Sequence, residues 1–221
     1  MSASSPDEAS ARQSRAVAQS GTDSVEPRIA LAPASGGKLH PGQEIGLVVL
    51  VAIAAVVVSL RVAHGMIGLL GVALALVMLA IALIDGRRFV IPDSLSALGL
   101  ILGFFHALAL EPDAMVSAVA LAAARSAALA LTFLAVRSGY ARLRGRQGLG
   151  LGDVKLAGVA GVWLDWSMMP IAVELAAVAA LSFYLFRVGV LGQPFSAAHR
   201  LPFGLFFVPA VWLCWIFQSS I

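Results

Sequence analysis

The hydrophobic positions of this 221-residue chain fall into long, nearly unbroken apolar runs, without strict alternation and without a polar helical face. The first long run begins near Ile45, and the runs are rich in Ala, Leu and Val. They predict seven helices, over residues 45–63, 66–84, 93–110, 114–136, 151–164, 168–187 and 202–218. A helix needs about 20 mostly apolar residues to cross a hydrocarbon core about 30 Å thick, and most of these runs approach that length.

These runs predict an all-α fold, a polytopic transmembrane bundle of six to seven helices. A transmembrane β-barrel is disfavoured, because its strands would alternate apolar and polar residues. The first two helices could form a tight hairpin broken at His64 and Gly65, and the fifth is short enough to be partly re-entrant. The composition agrees with lipid as the main solvent, since 60% of the residues are hydrophobic and 12% are charged.

The N-terminal residues differ sharply from the rest of the chain. Residues 1–42 are rich in Ser, Ala, Pro and mixed charge and lack helical periodicity, so we expect a disordered tail followed by a transmembrane domain over residues 43–221. No apolar core follows a basic start within this stretch, which excludes a secretory signal as the interpretation.

The distribution of basic residues predicts the orientation in the membrane. Most of the 15 Lys and Arg residues lie in the tail, at Arg87 and Arg88, and from Arg137 to Arg146. Because Lys and Arg are retained in the cytoplasm, we expect a multi-pass membrane protein whose tail and active face are cytoplasmic. The formal charge of +3 then reflects topology and contact with anionic lipid, and it does not predict nucleic-acid binding.

Two aspartates stand next to long apolar helices, where ionisable groups are costly and mark candidate functional sites. Asp85 ends the second predicted helix and Asp153 begins the fifth. The chain crosses the membrane twice between them, so both should lie at the same face and at similar depth. Two carboxyl groups held close together share one proton, which supplies an acid and a base in one site.

The residues around Asp153 fit a recessed site. Gly150 and Gly152 permit positive φ and close approach of a substrate strand or another helix. The fifth helix, at about 22 Å, is shorter than the hydrocarbon core, so its start could lie below the interface in a recess that Lys155 would also line. The alternative is that Asp153 caps this helix and Asp85 faces bulk water.

Three ordered motifs resemble those of the type IV prepilin peptidases, a branch of the GxGD intramembrane aspartyl proteases. The motifs are Asp85 followed by the IPD string at 91–93, the GLGD string at 150–153 running into VKLAG, and the LPFG string at 201–204. The first motif includes Pro92 and Asp93, and the third includes Pro202, Phe203 and Gly204. The resemblance covers roughly residues 66–215.

By this resemblance, Asp85 and Asp153 occupy the two catalytic positions and need neither a metal nor a cofactor. The implied reaction is cleavage of the leader from a prepilin or pseudopilin precursor at the cytoplasmic face. Many bacterial members also carry a cytoplasmic region with paired cysteines and methylate the new N-terminus. This chain has a single cysteine, Cys214, so we expect a peptidase-only form.

Two other functions compete with this interpretation. Presenilin-like GxGD proteases use a similar pair of aspartates, but Asp85 is not preceded by Tyr, and PFG stands where a PAL triplet would open the last helix. HExxH and GxSG motifs are also absent from the sequence. A protein of a different class, a small transporter or channel, would use its intramembrane acids to relay protons.

Several further residues have less distinctive environments. We expect Asp93 to be the N-cap of the third helix, and Lys155 either to tune or position groups at the site or to extend to lipid headgroups. Arg125 and Glu174 fall within predicted helices and could pair with each other. Cys214 is expected to be a small apolar residue, and the four histidines, which lack ligand spacing, are expected to be loop or packing residues: His40, His64, His106 and His199.

Overall fold

The computed structural model describes residues 41–145, 148–189 and 203–221, and within these ranges the chain is almost entirely helical. The seven α-helices are α1 (Pro41–Val62), α2 (Gly65–Arg88), α3 (Asp93–Leu110), α4 (Met115–Arg144), α5 (Leu151–Trp163), α6 (Met168–Gly189) and α7 (Phe203–Ser220). A short 3-10 helix, Pro112–Ala114, joins α3 to α4. The described ranges contain no strand, so the all-α prediction is confirmed. The predicted tail lies outside the described residues, except for residues 41 and 42, which begin α1.

Among the described residues, six helices are long and apolar enough to cross a membrane, by length and composition. They are α1, α2, α3, α4, α6 and α7, which places the chain at the lower end of the predicted range of six to seven spans. The exception is α5, with 13 residues. The break between α1 and α2 lies at Ala63 and His64, next to the predicted position, and Gly65 adopts the positive φ of 64° that this turn requires.

Two helices continue well beyond their predicted ends, α2 by four residues and α4 by eight. Helix α2 runs to Arg88, and its last turn carries Arg87 and Arg88, whose positive charges stabilise a helix C-terminus. Helix α4 runs to Arg144, where Gly145 ends it in the left-handed conformation and donates its N–H to the carbonyl of Ala141. The hydrophobic pattern underestimates both helices because their last turns are polar.

The short helix α5 forms the centre of the bundle. Its residues from Leu156 to Trp163 are all buried, and it packs against α3, α4 and α7. Helices α5 and α4 approach closely at Gly161, because this residue has no side chain. A methyl group there would lie 2.7 Å from the Cα atom of Ser126. Such close approach through glycine is typical of helix packing in membranes. A hydrogen bond also links the two helices, since Ser126 Oγ of α4 donates to the carbonyl of Gly158 in α5 at 2.8 Å.

The remaining helices surround this centre. Helix α2 packs against α3 and α7, and α6 packs against α7. Helix α1 is largely exposed and is attached in part by Trp212 of α7, whose Nε1 donates to Ser59 Oγ at 3.2 Å. The buried hydrophobic core is formed mainly by α2, α5 and α7, and α4 and α6 add Ala122, Phe133, Met169, Ala172 and Ala176.

The described histidines and the cysteine have structural environments. His106 is buried, accepts a hydrogen bond from Trp215 Nε1 at 3.1 Å, and lies 4.8 Å from the Trp163 ring between centroids. His64 lies in the turn before α2, and Cys214 is buried. These positions confirm the predicted loop and packing roles of His64 and His106 and the buried apolar role of Cys214. His40 and His199 lie outside the described residues.

Candidate active site

Asp85 lies in the last turn of α2 and is buried, with 5% of its surface exposed. Its Oδ2 accepts the backbone N–H of Leu205, in the first turn of α7, at 3.1 Å. The alternative in which Asp85 faces bulk water is therefore wrong. The sequence does not predict this partner, because every residue except proline has a backbone N–H and the donor can be identified only from the fold.

Gly204 makes room for the Asp85 carboxyl group. A methyl group at this position would lie 2.6 Å from Asp85 Oδ2 and 3.3 Å from Ile91 Cδ1. Its neighbour Phe203 stacks on Phe207 of the same helix, with ring centroids 5.4 Å apart. The PFG string thus contributes a glycine at the carboxyl group and an aromatic ring in the packing, while Pro202 lies outside the described residues.

Asp153 lies in the first turn of α5 and is half-buried. Its Oδ2 accepts the backbone N–H of Gly150 at 3.1 Å, which is the contact that the third helical residue makes in a capping box. Asp153 therefore stabilises the start of α5 by capping-box bonding, while the N-cap residue itself is Gly150. Burial raises the pKa of Asp153, the Gly150 N–H lowers it, and the nearby charge of Asp85 raises it further. Capping and proximity to Asp85 are therefore compatible.

Ile91 connects the surroundings of the two aspartates. It is buried, and its Cβ would lie 3.1 Å from a methyl group placed at Gly152, the residue before Asp153. The same side chain reaches Gly204, which contacts Asp85. The ends of α2, α5 and α7 thus meet around one apolar side chain. Neither its chemistry nor its spacing marks Ile91 as a site residue, although it is the first residue of the IPD string.

The glycines before Asp153 act by close approach rather than by unusual backbone geometry. Gly150 has φ of −73°, and the positive-φ glycines of the described chain are Gly65 and Gly145. The expectation that Gly150 and Gly152 use positive φ is therefore wrong, because Gly152 is already within helix α5. The close approach predicted at Gly152 is present, and the neighbour is Ile91.

Asp93 and Lys155 form an ion pair beside the aspartates. The N-cap of α3 is Pro92, so the N-cap prediction for Asp93 is wrong. Instead, Asp93 Oδ1 lies 2.6 Å from Lys155 Nζ, with 78% of the Asp93 side chain exposed. Lys155 is thereby held by Asp93, a partner that neither of its predicted roles included. The pair joins the starts of α3 and α5 at the end of the bundle that carries Asp85 and Asp153.

The predicted pairing of Arg125 with Glu174 is wrong. Arg125 Nη1 lies 2.5 Å from Asp165 Oδ1, and 11% of the Arg125 side chain is exposed. Glu174 lies on an exposed face of α6, and α6 packs against α7 rather than against α4, which carries Arg125. Counting depth along the helices missed Asp165, because it belongs to the turn after the unusually short α5.

The site contains two carboxyl groups, which can act as a proton donor and as a proton acceptor. A protonated carboxyl group donates a hydrogen bond, whereas an ionised one accepts a proton. The charge of Asp85 contributes to raising the pKa of Asp153, so the two carboxyl groups interact electrostatically. Such a pair can provide general acid and general base catalysis.

Comparisons with known proteins point in the same direction. Residues 72–185 match the model of the type IV leader peptidase family. A prepilin leader peptidase/N-methyltransferase of Pseudomonas putida is 28% identical over 191 residues, which cover 82% of this chain and 60% of the relative. A protein of the same name from Stutzerimonas stutzeri is 30% identical over 153 residues, covering 65% of this chain and 48% of the relative.

A shorter relative matches over a smaller region. Leader peptidase HopD of Escherichia coli is 38% identical over 79 residues, covering 36% of this chain and 50% of the relative. The chain thus spans 60% of the length of the Pseudomonas putida relative and about half of the length of the other two. No solved structure gave a significant match.

Proposed function

Since this chain belongs to the type IV leader peptidase family, we propose that it is an aspartic endopeptidase that removes the leader peptide of prepilin or pseudopilin precursors. The family and the six apolar helices indicate a multi-pass protein of the inner membrane. Residues 43–221 would form the transmembrane peptidase domain. The observation that carries the proposal is the meeting of Asp85 and Asp153 around Ile91 and Gly204.

In the proposed mechanism, the aspartate pair activates water directly. The ionised carboxylate takes a proton from water as the water oxygen attacks the scissile carbonyl carbon. The protonated carboxyl group donates a hydrogen bond to the carbonyl oxygen, and a proton then passes to the leaving amine as the C–N bond breaks. Burial and the charge of Asp85 both raise the pKa of Asp153, and the proposed mechanism assigns the protonated role to Asp153.

The proposed site faces the cytoplasm. Arg87 and Arg88 end α2 and Arg142 and Arg144 end α4, directly before the segments that lead to the next helices. Basic residues are retained on the cytoplasmic side. At the same end of the bundle, Asp93 of α3 pairs with Lys155 of α5, and Leu205 of α7 donates to Asp85. A precursor whose leader is still in the cytoplasm would therefore reach the aspartate pair before membrane export.

The purified protein, reconstituted in lipid vesicles, is expected to convert a pilin-type precursor into a shorter product. Mass spectrometry of the product should show a single cut that removes an N-terminal leader, without added metal or cofactor. A vesicle preparation without the protein is the control for spontaneous cleavage.

Two results would reject the proposal. One is an unchanged precursor mass with several pilin-type precursors, although the protein is folded in the vesicles. The other is a proton-coupled solute flux without any cleavage, which would favour the transporter class instead. Cleavage that requires the protein supports the peptidase.

A further inference from the structure

The side-chain amide of Gln218, near the end of α7, makes two hydrogen bonds to the backbone at the end of α5. Its Oε1 accepts the N–H of Asp165 at 3.0 Å, and its Nε2 donates to the carbonyl of Trp163 at 2.9 Å. Both backbone groups lie where α5 ends, and backbone groups at helix ends lack intrahelical partners. One side chain therefore satisfies a donor and an acceptor of this turn and ties it to α7.

Arg125 of α4 binds the same turn from another side. Its Nη1 donates to Asp165 Oδ1 at 2.5 Å. Since the Arg125 side chain is almost entirely buried, an unpaired charge here would be costly. The turn after α5 is thus held by α4 and α7 together, at the end of the bundle opposite the aspartate pair.

Helix α7 contacts the aspartate pair at its other end. Leu205 in its first turn donates its N–H to Asp85, while Gln218 in its last turn holds the far end of the helix that carries Asp153. At 1.5 Å per residue, Leu205 and Gln218 are separated by about 20 Å along α7, and Asp153 and Trp163 by about 15 Å along α5, with Leu164 and Asp165 following in the turn. The two helices run in the same direction, because each begins at the end of the bundle that carries the aspartates and ends at the turn after α5.

We propose that Gln218 is a positioning residue, through which α7 sets the depth of α5 and therefore the position of Asp153 relative to Asp85. A helix is stiff along its axis, so a shift at Asp165 is transmitted to Asp153. The catalytic consequence of this inference rests on the proposed function, whereas the positioning itself does not.

The position of α5 can be measured without enzyme activity. In a chain with Cys214→Ala, the substitutions Ile91→Cys and Gly152→Cys place two thiols where α5 begins. A Cβ at Gly152 would lie 3.1 Å from the Ile91 Cβ, and disulfides have Cβ separations of about 3.8 Å, so a small adjustment allows the bond. The rate of disulfide formation under mild oxidant then reports how α5 sits against the end of α2.

Gln218→Leu keeps a side chain of similar size and removes both hydrogen bonds. It is expected to slow disulfide formation roughly fivefold, because the cysteine pair tolerates little displacement. In the chain without added cysteines, it is expected to lower kcat roughly 10²-fold with little change in KM, because a misplacement of about 1 Å costs rate more than binding. Gln218→Glu keeps the acceptor for Asp165 and loses the donor, so it should fall between Gln218→Leu and the unmodified chain.

Ser59→Ala is the matched control. It removes one hydrogen bond between α7 and α1, the one from Trp212, and leaves α5 untouched. Both quantities should stay close to their unmodified values in this variant. Equal slowing of disulfide formation by Ser59→Ala and by the Gln218 variants, or no slowing by either, would overturn the positioning role. Slower disulfide formation in a protein that cleaves no precursor would support the positioning and reject the proposed function alone.

Discussion

Asp153→Asn is expected to lower the rate of leader cleavage by about 10³-fold or more, while the protein folds normally. The amide has nearly the volume of the carboxyl group, and its oxygen can still accept the N–H of Gly150 that caps α5. It cannot, however, exchange a proton with the reacting groups. Asp85→Asn should have the same effect, because its amide oxygen can still accept the N–H of Leu205. Single-turnover cleavage of a pilin-type precursor by each variant in vesicles measures the loss.

The same substitutions separate catalysis from capping. If Asp153 served only in the capping box, Asn would keep the hydrogen bond from Gly150 and activity would remain near normal, while Asp153→Ala would lose this bond and destabilise the protein by about 1 kcal/mol. The proposed mechanism predicts instead that Asn and Ala are equally inactive. Near-normal cleavage by Asp153→Asn would remove this residue from the reaction.

Gly204→Ala is expected to reduce kcat/KM by roughly 10²-fold, because it displaces the Asp85 carboxyl group. The added methyl group would lie 2.6 Å from Oδ2 and 3.1 Å from Cγ of Asp85, which is too close for the present geometry. The carboxyl group must move, and its hydrogen bond from Leu205 must lengthen or break. Initial rates over a range of precursor concentrations give the change in kcat/KM.

Gly86→Ala provides the comparison for this variant. Gly86 follows Asp85 in α2, and a methyl group there would lie 3.5 Å from Leu205 Cδ1, an ordinary van der Waals contact. This variant adds the same atom at the same contact between α2 and α7 without touching the carboxyl group. Similar losses in Gly86→Ala and Gly204→Ala would show that general packing, and not the position of Asp85, limits the rate.

Most of the fold follows from the hydrophobic pattern. Apolar runs of about 20 residues dictate helices in lipid, and the interruption at His64 and Gly65 lies within one residue of the observed turn. The hydrophobic pattern does not predict the polar last turns of α2 and α4. Apolar residues are needed only within the hydrocarbon core, whereas a helix can continue beyond it with polar residues. The central position of α5 was also beyond the pattern, because its short apolar sequence fits a buried helix as well as a re-entrant one.

The candidate site was less completely predictable. Asp85 and Asp153 were identifiable because acids beside apolar helices are costly, and counting membrane crossings placed them at one face. Their partners, the N–H groups of Leu205 and Gly150, belong to the backbone and follow only from tertiary packing. The ion pair of Arg125 with Asp165 was mispredicted for the same reason, since its geometry depends on where α5 ends.

The pKa of Asp153 in the presence and absence of the Asp85 charge tests most directly whether the two acids share one site. Infrared difference spectroscopy against Asp153→Asn follows the protonated carboxyl band of Asp153 as pH is varied, in otherwise unmodified protein and in Asp85→Asn. Because the Asp85 charge raises the pKa of Asp153, the band should persist to a higher pH in the unmodified protein, and its midpoint should fall when Asp85 becomes neutral. An identical midpoint in both proteins would mean that the aspartates do not interact, and it would contradict the shared site.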